Sequence, residues 1–456
     1  MASTYLSRTF AQAGNRRTFT ISYWIKMGIV STGADQAIMG AAQDGSNSDD
    51  LYIHTGRLNF SGYYGGTAYQ VRTTAKYRDL SGWYHHVIRF DSTQSTASDR
   101  LRLYVNGELQ TALDSNTYPS QNLETTYFNT ARQHTIGSIA YGTPNLPFNG
   151  SMSHFHFCDG YSYGADSFGQ YDANGVWKIK TSPSVTYGTN GFFILKDGNG
   201  VTDQSGNSNN WTVGGGTLTN TEDNPSNVFA TLNPLTNSGS YTFENGNTVL
   251  EGNNTNNWSK AIGSTLAASS GKYYWEVKQV SGSHTDYNIF GFMKAANIMD
   301  SAVSYSSGNQ NSIQTAAAAT VVVYGQSGTH ANFVKINGSA ISISDNDIVS
   351  FALDLDNRKC WLAKNGVWVD DDSGNTNGSS INSAYPLWNT DDITADTFYM
   401  PVSVQYYDPK CQYNFGNGYF GTTAVASAGT NASGNGIFEY DVPTGYTALS
   451  TKGLNL

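Results

Sequence analysis

Apolar and polar residues alternate along many short stretches of this chain, which is the pattern of half-buried β-strands. In residues 18–25, Phe19, Ile21 and Tyr23 alternate with small hydroxyl residues, and residues 152–158 alternate in the same way. No stretch keeps the apolar spacing of an amphipathic helix over three turns. The pattern therefore predicts an all-β protein.

Turn signals divide these strands into two groups. Asn106-Gly107 and Asn365-Gly366 each follow a strand-like run, and Asn-Gly supplies the two positive-φ residues of a type I′ hairpin turn. Short strands with frequent turns predict antiparallel β-sandwiches. We expect one sandwich over residues 1–168 and another over residues 239–456, the latter ending in a closing strand. Residues 169–238, rich in Gly and Asn, are expected to form a small bridging segment with short strands.

Composition and charge remove several classes of function. The net charge is −10 with only 25 Lys and Arg residues, so a nucleic-acid partner is not expected. No apolar run approaches the length of a membrane span, and the N-terminal residues do not resemble a signal peptide. Three widely spaced cysteines, Cys158, Cys360 and Cys411, imply no disulfide framework. We expect synthesis in a reducing cytoplasm.

Sequence motifs in the two modules resemble those of known families. The first module resembles laminin-G-like, concanavalin A-like jelly-roll domains, through residues 19–26, 83–87, 103–107 and 148–152. The second resembles SPRY domains, through residues 271–277, 291–292, 347–355, 360–368, 401–404 and 414–416. These resemblances imply two concanavalin A-like sandwiches, and they imply little about the ligand.

The order of the modules and three linking phrases resemble virion proteins of tailed bacteriophages. The phrases lie at residues 91–100, 203–207 and 223–235. The resemblance implies a protein made in the host cytoplasm and located in the virion, with other virion proteins as partners. It also implies a homo-oligomer, although no heptad or triple-helical repeat occurs.

Some enzymes share the sandwich fold, so catalytic patterns need testing. Retaining glycosidases with this fold carry the motif Glu-x-Asp-x-x-Glu on one strand, and the motif places two carboxylates about 5 Å apart. None of the seven Glu residues has that spacing. Residues 160–164 match Gly-x-Ser-x-Gly, but no helical pattern follows, as a nucleophile elbow requires. We therefore expect no catalytic residues and no enzyme activity.

Two kinds of metal site are weighed. His154, His156 and Cys158 alternate on one strand and could together bind zinc. The alternative, which we favour, is an outer face opposite core residues Phe155 and Phe157. Calcium is an open alternative through loop carboxylates at Asp44, Asp49 and Asp50, or through Asp370, Asp371 and Asp372. No metal or other cofactor is assigned.

Tyrosines in glycine-rich loops are the candidate ligand-binding residues, because sugar rings stack on aromatic faces. They are Tyr63, Tyr64, Tyr69, Tyr161 and Tyr163 in the first module; in the second, Tyr406 and Tyr407 are candidates at the rim of the SPRY-like module. The expected function is that of a non-enzymatic phage surface protein, a tail fibre or tail-associated adhesin that binds host-surface glycans. The alternatives are a capsid decoration or tail structural protein acting through protein contacts and, third, a glycan-degrading enzyme.

Overall fold

The computed structural model describes most of the chain and divides it into two compact units. It describes residues 4–31, 33–141, 143–196, 200–236, 241–252, 261–280, 288–298, 321–325, 343–369, 376–378, 380–381, 383, 386–390, 393–405 and 409–455. The first unit contains Met1–Asn220 and Asn224–Ser226, and the second contains Thr221–Asp223 and Asn227–Leu456. Both are built almost wholly from antiparallel strands, which confirms the all-β prediction.

Two sheets form the first unit. The front sheet contains, in spatial order, Leu113–Thr117, Thr67–Thr73, Arg57–Tyr64, Asn47–His54, Gln36–Asp44, Gln133–Ile136, Tyr5–Thr9 and Thr212–Gly215. The back sheet contains Phe192–Ile194, Gly150–Asp159, Thr18–Met27, Tyr84–Asp91, Leu101–Val105 and Glu108–Leu109. Two small hairpins pair Ile139–Tyr141 with Thr143–Asn145 and Gly169–Tyr171 with Trp177–Ile179. Short 3₁₀ turns lie at Ala97–Asp99 and Ala165–Ser167.

Alternate residues of both sheets point inward and build one core. From the back sheet come Phe19, Ile21 and Phe157, and from the front sheet Leu51 and Phe60, all at 0% exposure. The aromatic rings meet across the sandwich, since the Phe19 and Phe60 ring centroids lie 6.2 Å apart. Fully burying each such side chain contributes roughly 1.5–3 kcal/mol, so this alternation holds the two sheets together.

The predicted bridging segment, residues 169–238, is not a separate element. Phe192–Ile194 extends the back sheet beside Gly150–Asp159, and Thr212–Gly215 extends the front sheet beside Tyr5–Thr9. Residues up to Asn220 belong to the first unit, and those from Asn227 belong to the second. The prediction was wrong because the apolar residues of this segment join the two large cores: Phe192, Ile194 and Trp211 lie in the first, and Ala230 and Leu232 lie in the second.

The second unit is also a two-sheet sandwich. Its long sheet contains, in spatial order, Tyr241–Glu244, Val249–Gly252, Lys410–Asn414, Lys272–Val280, Ile348–Asp354, Lys359–Lys364, Val367–Val369 and Thr376–Gly378, and Thr447–Ala448 pairs in parallel with Lys272–Val280. Its short sheet contains Ile262–Gly263, Tyr399–Gln405, Asn288–Lys294 and Val321–Gly325. A small hairpin pairs Tyr419–Phe420 with Thr423–Ala424, and 3₁₀ turns lie at Pro234–Thr236, Ala295–Asn297 and Gly453–Asn455.

The C-terminal residues close the second unit. Trp275 and Phe351 of the long sheet stack at 5.0 Å within the core that the two sheets share. On the other side of the long sheet, Phe438 packs against Tyr274 with ring centroids 4.8 Å apart. The predicted closing strand near the C-terminus is therefore a segment that covers the outer side of the long sheet and leads into the strand Thr447–Ala448.

The Asn-Gly turns are confirmed by their backbone. Asn106 and Gly107 have φ angles of 48° and 87°, and Asn365 and Gly366 have φ angles of 50° and 77°. Positive φ at both central residues is the requirement of a type I′ turn, which matches the right-handed twist of the flanking strands.

Candidate functional site

The outward side of the back sheet is covered by protein. The covering segment, residues 160–190, packs Ala165 and Phe168 onto Val87 and Cys158 in a buried apolar cluster. Trp177 of this segment lies edge to edge with His85, with ring centroids 5.9 Å apart and ring planes 19° from parallel. This side of the sandwich is thus part of the interior.

Hydrogen bonds fix the His85 imidazole under this cover. Trp177 Nε1 donates to His85 Nδ1 at 3.0 Å, so His85 Nε2 carries the proton and donates to Ser22 Oγ at 2.9 Å. Burial lowers the pKa of His85 to about 3. The adjacent His86 points to the opposite side, where its Nδ1 lies 3.1 Å from the Tyr23 hydroxyl in the core.

The zinc alternative on this strand gains no support from the geometry. His156 Nδ1 lies 2.9 Å from the Tyr187 hydroxyl, and His154 Nδ1 lies 2.8 Å from Ser153 Oγ. Cys158 lies in the apolar cluster, where burial raises the pKa of its thiol. Among the described residues, no three His, Cys, Asp or Glu side chains converge as metal ligands. The outer-face interpretation needs one correction, because these side chains are buried: the covering segment packs on His156 and Cys158, and Phe193 packs on His154.

The outward side of the front sheet is different, because it carries polar residues that are partly exposed. Leu51, Ile53, Leu58, Phe60 and Val71 point into the core. The alternate residues of the same three strands must therefore point outward. We call these residues the polar face: Ser48, Asp50, Tyr52, Asn59, Ser61, Tyr63, Gln70 and Arg72.

Strand register arranges the polar face in rows. Tyr52 pairs with Asn59, which pairs with Arg72 on the next strand. In the neighbouring row, Asp50 pairs with Ser61 and Ser61 with Gln70. Directly opposed residues in antiparallel strands have Cβ atoms about 4.5–5.5 Å apart, so the face is a close array of hydroxyl, amide and carboxyl groups.

Few of these groups satisfy each other completely. Gln70 Nε2 donates to the Tyr52 hydroxyl at 3.4 Å, and Asn59 Nδ2 donates to Ser61 Oγ at 3.3 Å. Asn59 is at 0% exposure, yet its Oδ1 has no hydrogen-bond partner among the described residues. A buried acceptor left unpaired costs roughly 1–3 kcal/mol. The face therefore holds acceptor capacity that the described part of the chain does not use.

Asp50 is the carboxyl group of this face. One oxygen accepts from Ser48 Oγ, while Oδ1 has no hydrogen-bond partner among the described residues. On its other side lies Gly40, where a Cβ would come within 2.8 Å of Asp50 Oδ1. Burial, with a smaller contribution from Asp49, raises the pKa of Asp50 to about 7.

The tyrosines predicted around this region take different positions. They were expected in a loop, but Tyr63 and Tyr64 end one strand and Tyr69 lies within the next. Tyr63 is 42% exposed and belongs to the polar face. Tyr64 is half-buried and donates from its hydroxyl to Asp49 at 2.6 Å.

The prediction that Tyr69 contacts a ligand is wrong, because its side chain is at 0% exposure. Its hydroxyl donates to Asp49 Oδ1 at 2.7 Å within the sandwich. Gly62 makes room for the ring, since a Cβ there would lie 2.3 Å from Tyr69 Cε1. Tyr69 thus packs on the inner side of the front sheet, opposite the polar face.

Tyr161 and Tyr163 lie in a loop, as expected, but away from the polar face. Their rings stack with centroids 5.9 Å apart, and Tyr161 is 40% exposed. Tyr163 packs against Phe168 and accepts from the Thr186 amide at 3.0 Å, so it belongs to the covering segment. Ser162, the serine of the Gly-x-Ser-x-Gly match, lies between them and accepts a hydrogen bond from Arg89 Nε at 2.5 Å. A nucleophilic serine would be paired with a histidine instead. Tyr406 and Tyr407 lie outside the described residues.

The carboxylates considered for calcium do not converge. Asp49 points inward and accepts from the Tyr64 and Tyr69 hydroxyls and from the Tyr127 and Phe128 amides. Asp50 points outward, and Asp44 is exposed at a turn. The expected loop is in fact a strand, which sends Asp49 and Asp50 to opposite sides. Asp370, Asp371 and Asp372 lie outside the described residues.

Sequence reasoning missed the polar face, apart from Tyr63. The available signal was alternation within residues 48–54, 59–63 and 70–72, where polar residues occupy every second position.

Within the part of the chain that the structure describes, no helix has the length and apolarity needed to cross a membrane.

The first unit is similar to a known superfamily. Residues 2–161 match the family model Laminin_G_3, described as the concanavalin A-like lectin/glucanases superfamily. That match confirms the resemblance inferred for the first module. No curated protein matches this chain.

Several solved structures are similar to part of the chain. A native heptameric SAP-like pentraxin from Limulus polyphemus has 16% identity, with 34% of this chain and 69% of that chain covered and a TM-score of 0.26. The SPRY domain of human HERC1 has 15% identity, coverage of 40% and 96%, and a TM-score of 0.26. The Ruminococcus gnavus IT-sialidase CBM40 has 16% identity, coverage of 36% and 95%, and a TM-score of 0.25. The SPRY resemblance of the second module stays a prediction from its sequence motifs.

Proposed function

We propose that this chain is a non-enzymatic carbohydrate-binding protein whose ligand lies on the polar face of the first unit. The observation that carries the proposal is the contrast between the two outer sides of that sandwich. One is covered by an apolar segment, and the other presents partly exposed hydroxyl, amide and carboxyl groups. The match of residues 2–161 to the lectin/glucanase superfamily supports the same class of ligand.

The chemistry of the polar face suits a sugar. Ser61, Gln70 and Asp50 are partly exposed and can take part in hydrogen bonds with ring hydroxyls, which donate and accept in fixed directions. Tyr52 and Tyr63 supply aromatic surface on which the apolar side of a sugar ring can stack. Binding through a few convergent polar groups beside aromatic surface requires no catalytic acid pair.

We further propose that the protein acts on the surface of a phage virion, as a tail fibre or tail-associated adhesin that contacts host-surface glycans. The support is the resemblance of three linking phrases to virion proteins of tailed phages. Immunogold labelling of intact particles tests this placement. Label at the tail supports the adhesin, and label over the head contradicts it.

A capsid decoration or tail structural role is the second candidate, and one surface feature favours it. Leu109, Tyr171 and Val176 are 39%, 48% and 49% exposed. They lie on two hairpins that the Tyr171 hydroxyl joins by a hydrogen bond to Glu108. Exposed apolar side chains of this kind are common in protein interfaces.

Glycan-array binding by the full chain separates the two candidates. We expect binding that Gln70→Ala weakens about tenfold and Tyr63→Ala weakens about three- to tenfold. Tyr161→Ala is the matched control, because Tyr161 is equally exposed but lies by the covering segment, and it should bind as the wild type does. Absence of glycan binding, or equal losses for Tyr161→Ala and Tyr63→Ala, would contradict the proposed site.

A further inference from the structure

The unused hydrogen-bonding atoms of the polar face include two acceptors on neighbouring strands. Asn59 Oδ1 and Asp50 Oδ1 both lack partners among the described residues. Asp50 and Asn59 are diagonal neighbours, because Asp50 pairs with Ser61 and Asn59 with Tyr52. Both oxygens are shielded from solvent, so a ligand meets the partly exposed side chains beside them, such as Ser61 and Gln70.

Cationic groups beside the face are largely neutralised. Arg72 Nη2 lies 2.6 Å from an oxygen of Asp114, and His54 Nδ1 lies 2.7 Å from Asp35. Arg57, across from His54 at the end of the face, donates through Nη1 to the neutral Thr55 Oγ1 at 3.0 Å and so keeps its charge. Asp50 has no basic partner in the salt bridges of the described residues, and Asp49 lies directly behind it in the sheet.

We infer that the polar face takes uncharged sugars and discriminates against acidic ones such as uronic acids. The inference rests on the proposed function and names the class of glycan that the same site accepts. The Asp50 carboxylate without a basic partner, Asp49 behind it and the acidic partners of Arg72 and His54 give the face a negative potential, which Arg57 at its end offsets only in part. The chain's net charge of −10 acts in the same direction.

The expected discrimination follows from Coulomb repulsion. Asp50 is ionised at pH 8, because its pKa is about 7. A ligand carboxylate in contact with the face would stand on the order of 7 Å from Asp50, where like charges at a protein surface repel by about 2 kcal/mol. That repulsion corresponds to at least a tenfold loss of affinity, before any gain from cations that would first have to leave their partners.

Titration calorimetry at pH 8 with matched trisaccharides tests the inference. The pair differs only in a terminal galactose or galacturonate, both on the same neutral core. We expect the full chain to bind the galactose form at least tenfold more tightly. Asp50→Asn should narrow that ratio several-fold by removing the repelling charge. Asp114→Asn should narrow it independently by releasing the Arg72 guanidinium, which keeps the test valid if Asp50→Asn fails to fold.

Each other outcome has a distinct meaning. Binding of both sugars with a ratio near one, or a ratio that neither variant changes, overturns this inference while the proposed function stands. Binding of neither sugar, together with a silent glycan array, overturns the proposed function and the inference with it. Tighter binding of galacturonate by the wild type overturns the electrostatic account directly.

Discussion

Two adjacent residues, Asp49 and Asp50, show how strand geometry decides the role of a side chain. Asp49 points into the sandwich, where four donors hold its carboxylate, and burial still raises its pKa. Asp50 points outward to the polar face. From the sequence, both looked like loop residues beside Asp44. The residue types were readable, but the side on which each one points depends on strand register, which an acidic run does not reveal.

Replacing Asp49 tests its structural role. Asp49→Asn turns one accepting oxygen into an amide donor that faces groups which themselves donate. We expect a loss of about 3 kcal/mol in the free energy of unfolding, measured by urea denaturation. Asp44→Asn is the matched control at an exposed turn and should leave the transition midpoint unchanged. An unchanged midpoint for Asp49→Asn would show that its hydrogen bonds contribute little.

At the scale of elements, the alternation of apolar and polar residues predicted the strands well, but it did not predict which faces of the sheets are covered by other segments. Thr18–Met27 and Gly150–Asp159 lie close to their predicted positions, because their apolar residues meet one shared core. The covering segment escaped prediction, since its few apolar residues are separated by Gly, Ser and Asn. Whether such residues cover a sheet or face solvent depends on contacts far along the chain, such as Trp177 with His85.

Removing Trp177 tests the covering segment. Trp177→Ala should lower the free energy of unfolding by about 2 kcal/mol, because a large ring and one hydrogen bond are lost. It should also raise the pKa of His85 from about 3 toward the ordinary value of 6.5, as water reaches the imidazole. An NMR titration of the histidine ring protons measures this shift. Trp177→Phe keeps an aromatic ring beside His85 and should shift the pKa of His85 less, so equal shifts in the two variants would contradict the account.

At the scale of the whole molecule, the two units contain buried titratable groups of opposite kind. In the first unit, burial lowers the pKa values of His85, His86 and His134 to about 3. In the second, burial raises the pKa of Glu276 to about 7, although Tyr274, Asn414 and the Glu439 and Tyr440 amides all donate to it. The division into two sandwiches was readable from the sequence, but such burial was not.

The units should therefore respond differently to acid. The unfolded first unit takes up protons on its imidazoles below pH 6.5 and the folded unit does not. Each imidazole then costs about 2 kcal/mol of stability at pH 5. Protonation of Asp50, whose pKa is raised, offsets part of that loss. Glu276 has the opposite effect on stability, because the folded state binds its proton more tightly than the unfolded state does. It adds roughly 3 kcal/mol to the free energy of unfolding as pH falls from 7 to 4.5.

Hydrogen exchange of the full chain at pH 7.5 and pH 5, corrected for intrinsic rates, measures both trends. Protection in the first unit should fall at pH 5, while protection in the second should hold or rise. Glu276→Gln should remove the rise and leave the first unit unaffected. Parallel loss of protection in both units would contradict this assignment of the buried groups.

The most direct test of the central claim is a crystal structure of the full chain with the neutral oligosaccharide that binds best on a glycan array. We expect the sugar on the front sheet of the first unit, with hydroxyls hydrogen-bonded to Gln70, Ser61 or Asp50 and a ring against Tyr52 or Tyr63. A sugar bound beside Tyr161, or on the second unit with the polar face empty, would contradict the account.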